Sequence, residues 1–198
     1  MSNALKQLKK ALRQGEVYRR VDLERYSNAV DRHLQSLVKD GTLRKLSHGL
    51  YYKPKLSKFG EVPPEEDKVV KAFLKDNNFL LFSPNDYNGL GLGSTQLYNE
   101  YWVYNHKRNG KFKLAGQNYR FFLKSDFPRK LSKEFLMVDV LNNLNKLAED
   151  NSAVLKGFQN KSQDLDLNKL QRAADKYGKR LANTKVKQLA KTDSRAYA

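Results

Sequence analysis

The chain of 198 residues contains no cysteine and one tryptophan, and no apolar run in it approaches a bilayer's thickness. Without cysteine there is no disulfide framework and no thiolate metal site. Its three histidines, His33, His48 and His106, are far apart and lack ligand spacing, so neither a metal nor a cofactor is expected. A transmembrane helix needs about eighteen or more apolar residues, and the opening MSNALKQLKKALRQG has no apolar core of the kind a signal peptide carries. The expectation is a folded cytoplasmic protein without a membrane span.

Acidic residues are also scarce, 21 against 38 Lys and Arg, which leaves a net charge of +17. Such a chain gains free energy by displacing counterions from a polyanion, and nucleic acid is the leading partner. The excess is uneven. Residues 1–56 carry 13 basic and 5 acidic side chains, residues 57–150 carry 14 and 12, and residues 151–198 carry 11 and 4. The two ends are basic and the middle is nearly neutral.

Helical periodicity opens the chain, with Leu5, Leu8 and Leu12 on one face and Gly15 as a stop. A short second helix is expected over 21–26, and a capping signal at Ser27 or Asn28 opens a third that runs to Gly41. In that third helix Val30, Leu34, Leu37 and Val38 make an apolar stripe, and Asn28, Arg32, Gln35 and Lys39 fall opposite. Asn, Gln and Arg carry the paired donors and acceptors that read base edges, and a lysine suits a phosphate. TLRKLSHGLYYKP follows and reads as a hairpin turning at Ser47, His48 and Gly49, with Arg44, Lys45 and His48 on its basic face. Three helices and a basic hairpin within about fifty-five residues is the order of a winged helix-turn-helix. The candidate DNA-binding residues are therefore Arg19, Arg20, Ser27, Asn28, Arg32, Gln35, Lys39, Arg44, Lys45 and His48, with Arg19 and Arg20 better suited to phosphates.

The stretch 53–68, rich in proline and charge, reads as a linker or strap, and Glu65, Glu66 and Asp67 suit the start of the helix beyond it. Strand composition follows at 79–83, 101–105, 111–115 and 119–124. With Asn109-Gly110 between the second and third of these, an antiparallel meander is expected. Half of its aromatics should face a core, and the glycines of NGLGLGST fit a packed turn better than a phosphate loop. From Ser132 the chain turns helical. A later helix sets Leu170, Ala174, Tyr177 and Leu181 against a basic stripe of Lys169, Arg172, Lys176 and Lys179, either solvated or facing nucleic acid, with a break at Gly178. The fold class is α+β: a winged helix-turn-helix at 1–56, then a mixed domain at 57–190 with a small antiparallel sheet and C-terminal helices, and a disordered tail at 191–198.

Four segments, LSHGLYYKPKLSKFGEVPP, NDYNGLGLGSTQ, YNHKRNGKFKLAGQNYRFF and FPRKLSKEFLMVDVLNNLNKL, taken in order, resemble the AbiE-type antitoxin family of bacterial type IV toxin–antitoxin systems, over residues 20–189. The resemblance implies an autorepressor that binds inverted repeats in its own promoter, monomeric in solution with two copies on DNA. It also implies an antitoxin that counters a nucleotidyltransferase-like toxin without requiring a stable complex with it. Two other readings stand beside it: a stand-alone regulator whose second domain senses a ligand or partner, and a nuclease using Glu100, Asp126 and Glu134. No enzyme is expected, because no catalytic grouping stands out.

Overall fold

The computed structural model describes residues 3–161 and 165–196, without the side chains of 190–196. It is a mixed α+β protein with small antiparallel sheets and C-terminal helices. The chain forms two compact units, Met1–Phe79 with Lys107–Tyr119, and Leu80–His106 with Arg120–Ala198. The first unit thus runs past the 56/57 boundary read from the sequence.

In the first unit, α1 (Asn3–Ala11) leads through Gly15, at a positive φ of 78°, into a strand, β1 (Val17–Arg19). The second helical segment is split into α2 (Arg20–Leu23) and a 3-10 turn (Glu24–Tyr26), and α3 spans Val30–Lys39. Leu8, Leu12, Leu23, Val30, Leu34, Leu37 and Leu43 close a small core. Each fully buried Leu or Val there contributes roughly 1.5–3 kcal/mol over its exposed state. Two strands follow, β2 (Arg44–Ser47) and β3 (Leu50–Tyr52), turning at His48 and Gly49. β3 is central in the order β1-β3-β2, antiparallel to both neighbours, with Val17 opposite Tyr52 and Arg44 opposite Tyr52 on the other side. No periodic signal marks β1. Three residues are too few to show alternation, and only pairing with β3 makes them a strand.

The segment expected to be a linker or strap contains a hairpin. β4 (Lys55–Ser57) and β5 (Gly60–Val62) pair as an antiparallel hairpin, with Ser57 opposite Gly60. The hydroxyl of Tyr52 donates to the carbonyl of Val62 at 2.7 Å, and Arg44 forms an ion pair with Glu61. These contacts explain why a proline-bearing polar stretch holds a conformation. α4 (Glu66–Leu74) begins where its acidic residues suit the helix dipole, and Lys68 Nζ reaches back to Glu16 at 2.8 Å.

Four strands, β6 (Phe79–Phe82), β7 (Tyr101–Asn105), β8 (Gly110–Leu114) and β9 (Gln117–Leu123), lie in the order β6-β7-β9-β8. The expected meander is therefore wrong in one link: β7 neighbours β9, and Asn109-Gly110 does not join paired strands. The reason is burial. β7 is buried from Trp102 to Asn105 and belongs inside the sheet, whereas β8 alternates between half-buried and exposed positions and suits an edge. The expectation that half the aromatics would face a core is also too low, because Trp102, Tyr104, Tyr119, Phe121 and Phe122 are all buried.

In the second unit α5 (Lys133–Asn143) is buried from Phe135 to its end and is capped by the Ser132 hydroxyl, which accepts from the Phe135 N–H. α6 (Asn151–Lys161), α7 (Leu167–Tyr177) and α8 (Arg180–Ala196) pack with it, and Gly178 does end α7. Most of the tail expected at 191–198 falls within α8, and 197–198 lie outside the described residues. Gly91 and Gly93, both at positive φ, swing Leu92 fully into the core. There its carbonyl meets α6 so closely that a Cβ on Gly157 would lie 2.4 Å from the oxygen. Gly157→Ala is accordingly expected to cost about 1–3 kcal/mol, the usual penalty for forcing a packed core apart. A urea melt showing no loss of stability would contradict that packing.

Candidate nucleic-acid interface

The buried face of α3 decides what its other face presents. Val30, His33, Leu34 and Leu37 turn into the core, so Asp31, Gln35 and Lys39, spaced four residues apart, line the outside. His33 belongs to the buried face, where a leucine-type residue would be expected. It is accommodated by the buried Ser27, whose Oγ lies 2.7 Å from His33 Nδ1. The same oxygen accepts from the Ala29 N–H at 3.1 Å. Ala29, not Ser27 or Asn28, is the N-cap residue of α3 and has no side-chain cap bond. Ser27 is thus committed to internal hydrogen bonds and is withdrawn from the surface, contrary to its inclusion among the DNA-binding candidates.

Between α3 and the β2–β3 turn lies a groove of about 480 Å³, lined by Arg20, Asp31, Gln35, Lys39, Lys45 and His48 with Val38 and Tyr51. Five of the sequence-derived candidates, Arg20, Gln35, Lys39, Lys45 and His48, meet there although they are spread over 29 positions of chain. The backbone fixes this approach: the Arg20 N–H donates to the Gly49 carbonyl at 2.8 Å, tying the start of α2 to the hairpin turn. Gly49 is at a positive φ of 69°, a conformation in which a Cβ would be strained. Asp31, Val38 and Tyr51 were not foreseen. Val38, at the edge of the apolar stripe, packs against the core as expected and also reaches the groove.

The remaining candidates are placed differently. Asn28 and Arg32 are exposed on the surface. Arg19 is paired with Asp22, its Nε 2.7 Å from Oδ2, and Arg44 is paired with Glu61. Arg20 makes a two-pronged contact with Asp31 at 2.6 Å on each side and also meets Glu24. These contacts raise the Arg20 guanidinium above its ordinary value, Asp31 being the larger cause, and hold Asp31 below the usual carboxylate range. Burial pushes the Tyr51 hydroxyl up from its ordinary value. Lys39 and Lys45 have no carboxylate partner among the described residues, and they give the groove its positive charge.

Glu100, Asp126 and Glu134, the nuclease candidates, form no metal-holding group among the described residues. Glu100 accepts from Trp102 Nε1 at 2.7 Å, and Glu134 occupies the first turn of α5. Among the described residues no three His, Asp or Glu side chains gather to hold a metal, and no helix is long and apolar enough to cross a membrane. No protein-family model matches the chain, and no curated protein matches it in sequence.

Two outcomes test the groove's supports. Ser27→Ala is expected to cost about 1–3 kcal/mol, because it strips a buried hydrogen-bond partner from His33 and the Ala29 N–H. A neutral change would mean that these bonds carry no weight. Asp40, which caps the far end of α3, is held down to about 2, chiefly by Lys9 and then by Thr42. A carboxylate with a depressed folded pKa stabilises above its unfolded value near 4 and loses that stabilisation as pH falls through its folded value. The pair is more than a third exposed on average, so Asp40→Asn should cost less than about 1 kcal/mol at neutral pH. The gap to wild type should close between pH about 4 and about 2. A gap as large at pH about 2 as at neutral pH, measured by urea denaturation, would contradict the assignment.

Proposed function

We propose that this protein is a DNA-binding transcriptional repressor whose first unit is a winged helix-turn-helix, with α2 and α3 as the helix pair and the β2–β3 turn as the wing. The observation that carries the reading is the groove in which Gln35 and Lys39 of α3 face Lys45 and His48 of the hairpin. One helix that exposes an amide and a cation on the same face, beside a basic turn, has the chemistry of major-groove recognition: the amide reads adenine edges and the lysines meet phosphates. The net charge of +17 supplies the sequence-independent part of the affinity. Arg32 and Asn28, exposed at the start of α3, extend the base-reading surface. Arg20 and Arg19, braced by carboxylates, are positioning groups that need an incoming phosphate to displace or share those partners.

The resemblance to AbiE-type antitoxins extends the proposal. The protein acts in the bacterial cytoplasm as the autorepressor of an antitoxin–toxin operon, two copies occupying inverted repeats, and counters a nucleotidyltransferase-like toxin without a lasting complex. It works by binding and needs no catalytic group of its own.

The test is a gel-shift titration of the promoter upstream of its own gene. Binding should weaken steeply as salt rises, since each phosphate contact releases counterions. Arg32→Ala and Gln35→Ala should each cost about 1–3 kcal/mol on the operator and relax the preference for it over random DNA. Lys39→Ala should weaken both similarly and flatten the salt slope by about one. Absence of a shift, or binding indifferent to salt, would overturn the function. Equal losses on operator and random DNA for Gln35→Ala would overturn the reading face.

A further inference from the structure

The second unit holds a cluster of cations that the proposed DNA-binding groove does not use. Arg120 and Phe122 of β9 and Lys124, just beyond its end, alternate onto one face, and Lys146 joins them from the turn after α5. Lys124 Nζ stands 4.4 Å from the centre of the Tyr104 ring. Lys146 Nζ and Arg120 Cζ stand 4.6 and 5.2 Å from the centre of the Phe122 ring. The two rings are themselves 5.6 Å apart, so three cations rest on one small aromatic floor. Aromatic faces attract cations when water is partly excluded, which lets like charges gather here.

The end of α5 holds the arrangement. Asn143, fully buried, accepts from Lys146 Nζ through Oδ1 at 3.0 Å and donates from Nδ2 to the Tyr104 hydroxyl at 3.0 Å. Asn142 accepts the backbone N–H of Lys179 at 2.7 Å, bringing a third lysine and fourth cation to the same corner. Beneath the floor lies Asp139, 1 % exposed, whose Oδ2 accepts from the hydroxyls of Tyr87 and Tyr104, each at 2.7 Å. A single buried carboxylate offsets one of the four charges and leaves the rest in surplus. None of Arg120, Lys124, Lys146 and Lys179 has a carboxylate within ion-pair distance among the described residues. Burial lowers both Lys124 and Lys146 from the ordinary lysine range, with Lys179 lowering both further and Arg120 acting on Lys146. Cations that repel one another, are partly desolvated and are fixed by buried amides are held in a state that an incoming anion relieves.

We propose that Arg120, Lys124, Lys146 and Lys179 form a binding site for the phosphate groups of a small phosphorylated ligand. The spread of four cations, three of them over adjoining rings, suits several phosphoryl oxygens better than a lone carboxylate, with Arg120 able to fork onto two of them. The site is independent of the groove on the first unit, and its failure would leave the DNA-binding proposal untouched.

The experiment is calorimetric titration of the full chain with inorganic tripolyphosphate at low salt. Lys124→Gln/Lys146→Gln should lose about tenfold or more in affinity, as expected when two charge-assisted contacts are removed. Lys156→Gln/Arg172→Gln, which removes the same charge from exposed positions of the same unit, should change it by less than about twofold. Thermal melts establish that each variant is folded. If Lys124→Gln/Lys146→Gln is not, Arg120→Gln, at the rim of the floor, takes its place with an expected loss of about threefold to tenfold. No binding by the wild type, or equal losses in site and control variants, overturns the site. A short random DNA duplex distinguishes the source of the phosphates. If the site variants weaken duplex binding while leaving tripolyphosphate binding unchanged, the cations serve a nucleic-acid backbone and the small-ligand proposal falls.

Discussion

The first unit depends on how α3 is seated. Leu34 and Leu37, essentially inaccessible to water, lock it against Leu8 of α1, Leu23 of α2 and Leu43 beyond its own C-terminus. Once those side chains are buried, a helix of 3.6 residues per turn has no freedom left in what it shows to solvent. Asp31, Gln35 and Lys39 then face the hairpin turn, and the groove exists because the core does. The contact between Ser27 and His33 serves the same end, since a polar residue on the buried face is tolerated only with a hydrogen-bonding partner.

Electrostatics refine this frame without creating it. All five acidic residues within 1–56 are paired with named cations: Glu16 with Lys68, Asp22 with Arg19, Glu24 and Asp31 with Arg20, and Asp40 with Lys9. Exposed pairs of this kind add little stability each. Their effect is on distribution. They neutralise arginines at the base of α2, whereas Lys39, Lys45 and Arg32 have no ion-pair partner among the described residues. In the second unit the logic is inverted, because there the carboxylate, Asp139, is buried and the cations around it outnumber it. Burial raises the Asp139 carboxyl, and the two tyrosine hydroxyls that donate to it favour its charged form.

Part of the architecture was legible in sequence because it is written in local periodicity. The leucines of α1, the stripe of α3, the hairpin turn at His48-Gly49, the Ser132 cap and the break at Gly178 are each fixed by residues within a few positions of one another. The grouping of Gln35 and Lys39 with Lys45 and His48 was approachable for the same reason, because a short turn joins their elements.

Tertiary structure alone decided whatever depends on partners distant in the chain. β1 is a strand only through β3, and 55–62 is a hairpin held by Tyr52 and Arg44. β7 pairs with β9 because burial outweighs the turn preference of Asn109-Gly110. Ser27 looked like a surface cap until His33 proved to be buried beside it. The cluster of Arg120, Lys124, Lys146 and Lys179 left only the alternation along β9 as a trace, since its members are gathered by the end of α5. The sequence determined the charge, the helices and their faces, because these follow from composition and short-range geometry. Strand partners, the fate of Ser27 and the convergence of distant cations were set by folding, because they depend on which surfaces lose water together.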